Sequence, residues 1–248
     1  MQKSTQGRVK PFLRWAGGKT WFINQVCEFV SSLDYKHYHE PFLGGGSTYF
    51  AIDSCHGGFL SDANQELIET YLTLKKDPYA VIRRMKKYTN SPEFYYKLRD
   101  EFRGRCAAEK AARFIFLNQT SYNGLYRVNL NGHYNVPYGF RTKEFLDEKV
   151  LIAASKKLEN ATISAGDFDT ALDRVEQGDL VFLDPPYTVS HNNNGFIKYN
   201  QRLFSLDDQE RLSAFIDEVR RRQAYYILTN AAHPTIAEIF EKGDTRIR

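Results

Sequence analysis

The chain is poor in cysteine and lacks any long apolar segment. Its 248 residues include three cysteines, Cys27, Cys55 and Cys106, at wide spacing. An odd number so far apart forms neither a disulfide framework nor a zinc-ligand pattern, and it indicates a reducing compartment. No apolar run approaches the length of a membrane span, and the polar residues 1–6 are not typical of a signal peptide. We therefore expect a cytoplasmic globular protein with no membrane association.

Two common nucleotide-binding motifs are also missing. The dinucleotide fingerprint needs a third glycine after Gly44 and Gly46, but Tyr49 stands there. A P-loop needs a glycine five residues before Gly18, and that residue is Leu13. The sequence therefore disfavours a P-loop ATPase, and only measurable ATP hydrolysis would support that hypothesis.

Positive charge is concentrated in the middle of the chain. Residues 73–145 contain 15 Lys and Arg against 6 Asp and Glu, a net charge of +9, whereas the remainder carries −5. A basic segment within a slightly acidic chain indicates a lobe that meets a polyanion, although solvated helix faces would produce the same counts.

Hydrophobic periodicity predicts an α/β fold. Strand patterns at 36–42, 57–62, 161–165, 178–183 and 224–229 alternate with helical patterns at 20–33, from 47 onward, 64–74, 142–157 and 207–222. Such alternation is typical of a parallel sheet with helices on its faces. The middle is different: helices are predicted at 78–88, 92–103 and 107–117, and Asn131-Gly132 predicts a β-hairpin within 124–137.

We therefore predict a Rossmann-like sheet interrupted by a mostly helical insert that bears a hairpin. The predicted domains are residues 1–72 together with 146–248, and the insert 73–145.

Asp184-Pro185-Pro186-Tyr187 follows a buried strand and has the most distinctive chemistry. The prolines stiffen the backbone and donate no N–H. A carboxylate and a carbonyl can then accept two hydrogen bonds from one amino group, while the tyrosine offers a flat face to a planar base. This combination suits the amine of a nucleobase that has left its stack, although a turn after a core strand is the simpler interpretation.

Other strand ends carry further candidates. Glycines 44–46 would let a ligand approach the backbone, and Asp62 would accept hydrogen bonds from ribose hydroxyls unless it merely caps a helix. Asp167 would accept from an adenine amine and Phe168 would pack on a ring, unless this segment is only a turn.

Six motifs occur together in one order, at 12–19, 40–46, 61–64, 122–127 with 135–139, 166–168 and 184–187. The series resembles the Dam-type N6-adenine DNA methyltransferases, from about Lys10 to Asn230. The resemblance implies S-adenosyl-L-methionine as the cofactor. It implies that Trp15 and Lys19 contact this cofactor, that Gly44 and Gly46 lie against its methionine part, that Asp62 holds the ribose, and that Asp167 and Phe168 hold the adenine.

Roles toward DNA follow from the same resemblance. Asp184, which also borders the cofactor, the carbonyl of Pro185 and the ring of Tyr187 would act on a flipped adenine. Tyr122 would wedge between base pairs, Asn123 would lie near the vacated partner, Arg127 would read a guanine edge, and Leu125 and Pro137 would touch base methyls. Double-stranded DNA is the expected partner, GATC the expected site and a monomer the expected state, without a metal ion.

Two departures from the resemblance stand out. Residues 119–121 replace an Arg and an aromatic residue of many relatives, which puts the contacts that flank the site in question. Relatives also continue through another hairpin and a last strand where this sequence stops at Arg248, so the sequence is either truncated or naturally short. A cytosine-N4 or RNA methyltransferase and a catalytically silent DNA-binding protein remain alternatives. A stand-alone enzyme, part of a restriction-modification system and a phage-borne enzyme all fit the sequence.

Overall fold

A parallel five-stranded sheet forms the centre of the fold. The computed structural model describes residues 8–15, 23–52, 58–129, 131–187 and 204–244. The strands are β1 (Tyr38–Glu40), β2 (Phe59–Asp62), β3 (Thr162–Ala165), β4 (Leu180–Leu183) and β5 (Tyr225–Leu228). They lie in the order β3-β2-β1-β4-β5 with every neighbouring pair parallel. The α/β class predicted from periodicity is confirmed.

Helices connect and cover the strands. Their bounds are α1 (Ile23–Ser32), α2 (Ser47–Ala51), α3 (Gln65–Lys76), α4 (Pro78–Met85), α5 (Pro92–Asp100), α6 (Ala107–Thr120), α7 (Glu148–Leu158), α8 (Leu206–Arg221) and α9 (Pro234–Ile239). Proline occupies the first turn of α4 and α5, as the sequence predicts, because its missing N–H has no helical partner there. Within the described ranges, no helix is both long enough and apolar enough to cross a bilayer.

A buried acid joins the two central strands. Asp179, just before β4, is fully buried and accepts hydrogen bonds from the backbone N–H groups of His37 (3.1 Å) and Glu176 (2.9 Å). Its carboxylate also contacts His37 Nδ1 at 3.0 Å and His39 Nε2 at 2.9 Å. Burial opposes ionisation, but these partners outweigh it and lower the pKa of Asp179. The contacts fix the register of β1 against β4, where the cavity described below opens.

The helices of the basic segment share the core of the sheet. Buried residues of α4 and α6, such as Ile82 and Ile115, belong to one apolar cluster with Leu67 of α3 and Leu151 of α7. The predicted boundary between residues 72 and 73 lies inside α3. A smaller apolar cluster contains Tyr95, Phe116, Leu117, Tyr134, Val136 and Tyr138. The basic segment is therefore continuous with the sheet on one side and has its own small core on the other.

The predicted hairpin is present only as sparse antiparallel pairing. Bridges join Val128 to Tyr134 and Ser121 to Tyr138, and no strand is assigned in the described residues 121–129 and 131–139. Side chains bond to the backbone here: Tyr134 donates to the carbonyl of Leu125 at 2.8 Å, and Tyr95 to that of Val136 at 2.9 Å. These bonds and the small core hold a segment whose backbone ladder is short.

Candidate functional site: an acidic cavity beside an exposed aromatic surface

A cavity of about 710 Å³ opens at the carboxyl ends of the strands. It lies where the chain order reverses, because β2 and β3 extend the sheet on one side of β1 while β4 and β5 extend it on the other. Ligands of open parallel sheets bind at this position. Of the predicted site residues, Trp15, Gly44, Gly46, Asp62, Asp167, Phe168, Asp184, Pro185 and Tyr187 line the cavity. Lys19 lies outside the described residues.

The glycine turn after β1 forms one wall. Gly44 and Gly46 have φ angles of 47° and 66°, in the left-handed region that favours glycine. A Cβ atom on Gly44 would lie 2.8 Å from the Trp15 indole, which packs directly on this turn. The turn therefore needs glycine for its backbone shape and for the close approach of Trp15.

Asp62 holds the glycine turn in place. One carboxylate oxygen accepts the N–H of Gly44 at 2.9 Å, and the other accepts the N–H of Asn64 at 2.9 Å. The N-cap of α3 is Asn64, which accepts from Leu67, so Asp62 is not the cap. Burial raises the pKa of Asp62 despite these two donors.

Glu40 places a buried carboxyl group at the end of β1. It is 3% exposed, accepts a hydrogen bond from the Tyr38 hydroxyl at 2.8 Å, and lines the cavity. Burial raises the pKa of Glu40 to about 8, and the negative charges of Asp184 and Asp62 act in the same direction. A cation in the cavity would favour the ionised form of this group.

The Asp184-Pro185-Pro186-Tyr187 segment begins directly after β4. Asp184 is half-buried and accepts a hydrogen bond from the Thr229 hydroxyl at 2.6 Å. Thr229 follows β5 and also donates its backbone N–H to the carbonyl of Leu183 at 2.9 Å. Two adjacent strand ends therefore fix the orientation of this carboxylate at the cavity.

Asp167 and Phe168 are held by a third set of contacts. Arg211 of α8 forms an ion pair with Asp167 at 2.9 Å, and its guanidinium lies 4.8 Å from the centre of the Phe168 ring. Phe42 stacks on Phe168 with ring centres 5.3 Å apart. Phe168 is consequently buried and borders the cavity as part of an aromatic cluster that also contains Phe204.

The charged side chains that line the described part of the cavity are all acidic. Its described lining includes six acidic residues and no Lys or Arg: Glu40, Asp62, Glu66, Asp167, Asp184 and Asp208. Arg211 pairs with two of these acids and Arg113 with a third. Phosphate-bearing nucleotides are normally bound by basic side chains or backbone N–H groups, so this lining favours a ligand that carries positive charge.

The predicted DNA-reading residues form a surface beside the cavity. Tyr122, Asn123, Arg127 and Pro137 are exposed, and Leu125 is partly buried. Arg127 Nε donates to Asn135 Oδ1 at 2.8 Å, which holds the guanidinium against the facing segment. We call the described residues 121–129 and 131–141 the reading segment.

A stacked pair connects the reading segment to the cavity. The rings of Trp15 and Tyr126 lie 5.5 Å apart with a 19° interplanar angle, and both line the cavity. The neighbouring Arg14 donates its backbone N–H to Asn118 Oδ1 at 2.7 Å and its guanidinium to the carbonyl of Ser121 at 3.3 Å. The segment that contacts the glycine turn therefore also holds the base of the reading segment.

Some basic residues serve the fold. The Arg113 side chain, although it belongs to the basic segment, is 13% exposed and bonds to Glu66 and to the carbonyls of Leu98 and Arg99. Lys86 forms an ion pair with Glu148 at 3.0 Å. Arg113 therefore joins α3, α5 and α6.

Sequence reasoning assigned no role to Glu40, Thr229 or Tyr126. Thr229 had a detectable signal, since it is a polar residue at the end of an apolar strand, whereas Glu40 follows the polar residues Tyr38 and His39. Tyr126 had none, because its stacking partner Trp15 is more than a hundred residues away in the sequence.

Comparison with known proteins identifies the family. Residues 15–247 match the family model for D12 class N6 adenine-specific DNA methyltransferases. A Type II methyltransferase of Methanocaldococcus jannaschii, M.MjaIII, is 37% identical over 90% of this chain and 84% of its own length. A Type II methyltransferase of Lactococcus lactis subsp. cremoris, M1.LlaDCHI, is 32% identical over 94% of this chain and 85% of its own.

The DNA adenine methylase of Escherichia coli is 30% identical over 89% of this chain and 80% of its own length. The predicted resemblance is thus confirmed: the chain belongs to the D12 class N6 adenine-specific DNA methyltransferases.

Proposed function

We propose that this adenine-N6 DNA methyltransferase takes its methyl group from S-adenosyl-L-methionine and modifies the adenine of GATC in duplex DNA. The acidic cavity is the observation that carries the choice of donor. A sulfonium and an ammonium group give this donor positive charge, which suits a described lining with six carboxyl groups and no basic residue. Bound there, the donor would supply an electrophilic methyl group.

The cavity residues would bind and orient this donor. The glycine turn at Gly44 and Gly46 would lie against its methionine part beside Trp15 and Lys19. Asp62 would accept from the ribose, and Asp167 with Phe168 would border its adenine. Arg211 already orders Asp167, so that carboxylate would bind without a large rearrangement.

Asp184 and its neighbours would prepare the target base. The carboxylate of Asp184 and the carbonyl of Pro185 would accept the two hydrogens of the adenine amine, which directs the nitrogen lone pair away from the ring. Tyr187 would stack on the flipped base and offset part of the stacking lost from the duplex. Transfer is a direct displacement, so holding the nitrogen in line supplies much of the rate.

We assign sequence recognition to residues 73–145. This boundary is defined by the proposed role of the residues and not by how they pack. Arg127 would contact a guanine edge, Leu125 and Pro137 would meet base methyls, Tyr122 would wedge into the duplex, and Asn123 would lie near the vacated partner. We also propose that the enzyme is a monomer, that it acts in the cytoplasm with the DNA it modifies, and that it needs no metal ion.

Tritium transfer from labelled S-adenosyl-L-methionine tests donor and site together. We expect label in duplexes that contain GATC, none in duplexes with a permuted site, and none with Asp184→Ala. Label in both duplexes would refute the GATC assignment and keep the donor. Absence of label, with the duplex still bound, would refute the proposed donor.

A further inference from the structure

Phe140 combines two unfavourable features at one position. Its side chain is 76% exposed, more than any other large apolar side chain in the described ranges. Its φ angle is 51°, in the left-handed region that a bulky residue rarely adopts. Exposure gives the ring little burial energy, and the backbone conformation is strained. Burial therefore does not explain a phenylalanine here.

Hydrogen bonds hold the backbone on both sides of Phe140. The N–H of Gly139 donates to the carbonyl of Thr120 at 2.9 Å. On the other side, Asn90 Nδ2 donates to the carbonyl of Arg141 at 2.9 Å. Strain persists where surrounding structure determines the backbone in this way, and such positions cluster at functional sites.

The position belongs to the reading segment. Tyr122, itself 54% exposed, donates its N–H to the carbonyl of Pro137 at 2.9 Å, and Ser121 forms a bridge with Tyr138. The Phe140 ring contacts that of Tyr138 edge to face, with centres 5.0 Å apart. The pairing of these two short segments thus links the backbones that carry two exposed aromatic side chains, Tyr122 and Phe140.

The surroundings fit a polyanion. Arg141 follows Phe140 directly, and exposed Lys143 comes two residues later. Arg127 is exposed on the same segment. An exposed apolar ring flanked by basic side chains suits a nucleic-acid duplex, because cations meet the phosphates while an apolar wedge enters between base steps.

We propose that the Phe140 ring inserts between base pairs of the bound DNA, as a second aromatic wedge beside Tyr122. The inference rests on the proposed DNA-facing role of the reading segment. Two wedges would separate the target base pair from its neighbours and lower the free energy needed to flip the adenine.

The test is duplex affinity, measured by fluorescence anisotropy without a methyl donor. Phe140→Asn removes the ring, and asparagine tolerates the left-handed backbone. We expect affinity for a GATC duplex to fall by about 5- to 100-fold, the range for loss of one base–aromatic contact. The melting temperature should stay unchanged or rise. Phe29→Ala, on an exposed phenylalanine of α1, is the matched control and should leave affinity unchanged.

A second duplex, abasic at the target adenine, separates a wedge from a simple surface contact. Because its stack is already broken, the difference between wild type and Phe140→Asn should shrink. Wild-type affinity in Phe140→Asn, an equal loss on both duplexes, or a loss matched by a lower melting temperature would each overturn the proposal. A chain that binds the duplex through Phe140 yet transfers no methyl group would refute the proposed donor and leave the wedge intact.

Discussion

Glu40 shows how one buried carboxyl group shapes the behaviour of the cavity. Its neighbours in the described part of the chain include Tyr38 on its own strand, Asp62 after β2, Asp184 after β4, Tyr71 on α3 and the backbone N–H of Tyr49 on α2. The folded chain therefore holds this proton up to about pH 8. A cationic ligand would release it.

The raised pKa of Glu40 makes the free energy of unfolding fall as pH rises. In the unfolded chain this group ionises near pH 4.5, whereas in the folded chain it does so near pH 8. Between these values folding takes up a proton, so this residue lowers the free energy of unfolding as pH rises through the window. Glu40→Gln should gain stability relative to wild type between about pH 5.5 and about pH 8.5. Urea unfolding at both values measures this, and an unchanged difference between the two proteins would contradict it.

We expect Thr229 to position the Asp184 carboxylate, for which we propose a role toward the target amine. Thr229→Val removes the hydroxyl and keeps the shape, so the turnover number should fall by about 10- to 100-fold, the range for a hydrogen bond to a charged group. Thr229→Ser retains the donor and should recover most of the rate. The KM for DNA should change little in either variant. If valine and serine lower the turnover number equally, the hydroxyl is not the cause.

At the residue scale, chemistry could be predicted wherever the sequence places a polar side chain after an apolar strand. Asp62, Asp167 and Asp184 were found in this way, and all three line one cavity. The hydrogen bond between Thr229 and Asp184 could not be predicted, because it depends on β5 lying next to β4 and on a side-chain rotamer.

Among the elements, the glycine turn between β1 and α2 most strictly limits which residues can occupy it. Gly44→Ala would place a methyl group against Trp15 and force a left-handed alanine. We expect a loss of donor affinity of about 10-fold or more by calorimetry, because the added methyl group would displace the Trp15 indole that lines the cavity.

Gly243→Ala is the matched control for this prediction. Gly243 has a φ angle of 72°, but a methyl group added there would meet no heavy atom within 4 Å, so it shares the strain and not the clash. Its donor affinity should equal that of wild type. Equal losses in both variants would show that backbone strain alone, rather than the contact with Trp15, explains the effect.

The helices and strands were predictable and the reading segment was only partly so. The central strand β4 is a continuous apolar run because it is buried on both faces. Strand and helix patterns alternate along the sequence, which predicts a parallel sheet. The Asn131-Gly132 turn favours a hairpin, yet the pairing around it consists of isolated bridges. Side-chain bonds from Tyr95 and Tyr134 to backbone carbonyls replace much of a ladder, and such long-range contacts leave no local pattern.

Across the whole molecule, charge is divided between two surfaces of opposite sign. The described cavity lining is acidic, whereas residues 73–145 carry a net charge of +9. This separation would let one chain hold a cationic donor and a polyanionic substrate next to each other.

The basic segment predicts a salt dependence that can be tested with single lysines. Lys87 is exposed within this segment, and Lys156 is also exposed, on α7 outside it. In a plot of log affinity for DNA against log salt, Lys87→Gln should reduce the slope by about 1, because one phosphate contact is lost. Lys156→Gln should leave the slope unchanged. Identical slopes for both variants would place the phosphate contacts elsewhere.

The most direct test of the account is the identity of the methylated nucleoside. DNA incubated with the enzyme and labelled S-adenosyl-L-methionine would be digested to nucleosides and separated by chromatography. We predict that all label elutes with N6-methyl-2′-deoxyadenosine. Label in N4-methyl-2′-deoxycytidine would contradict the role given to Asp184 and its neighbours, and unlabelled DNA would contradict the assignment of the acidic cavity to this donor.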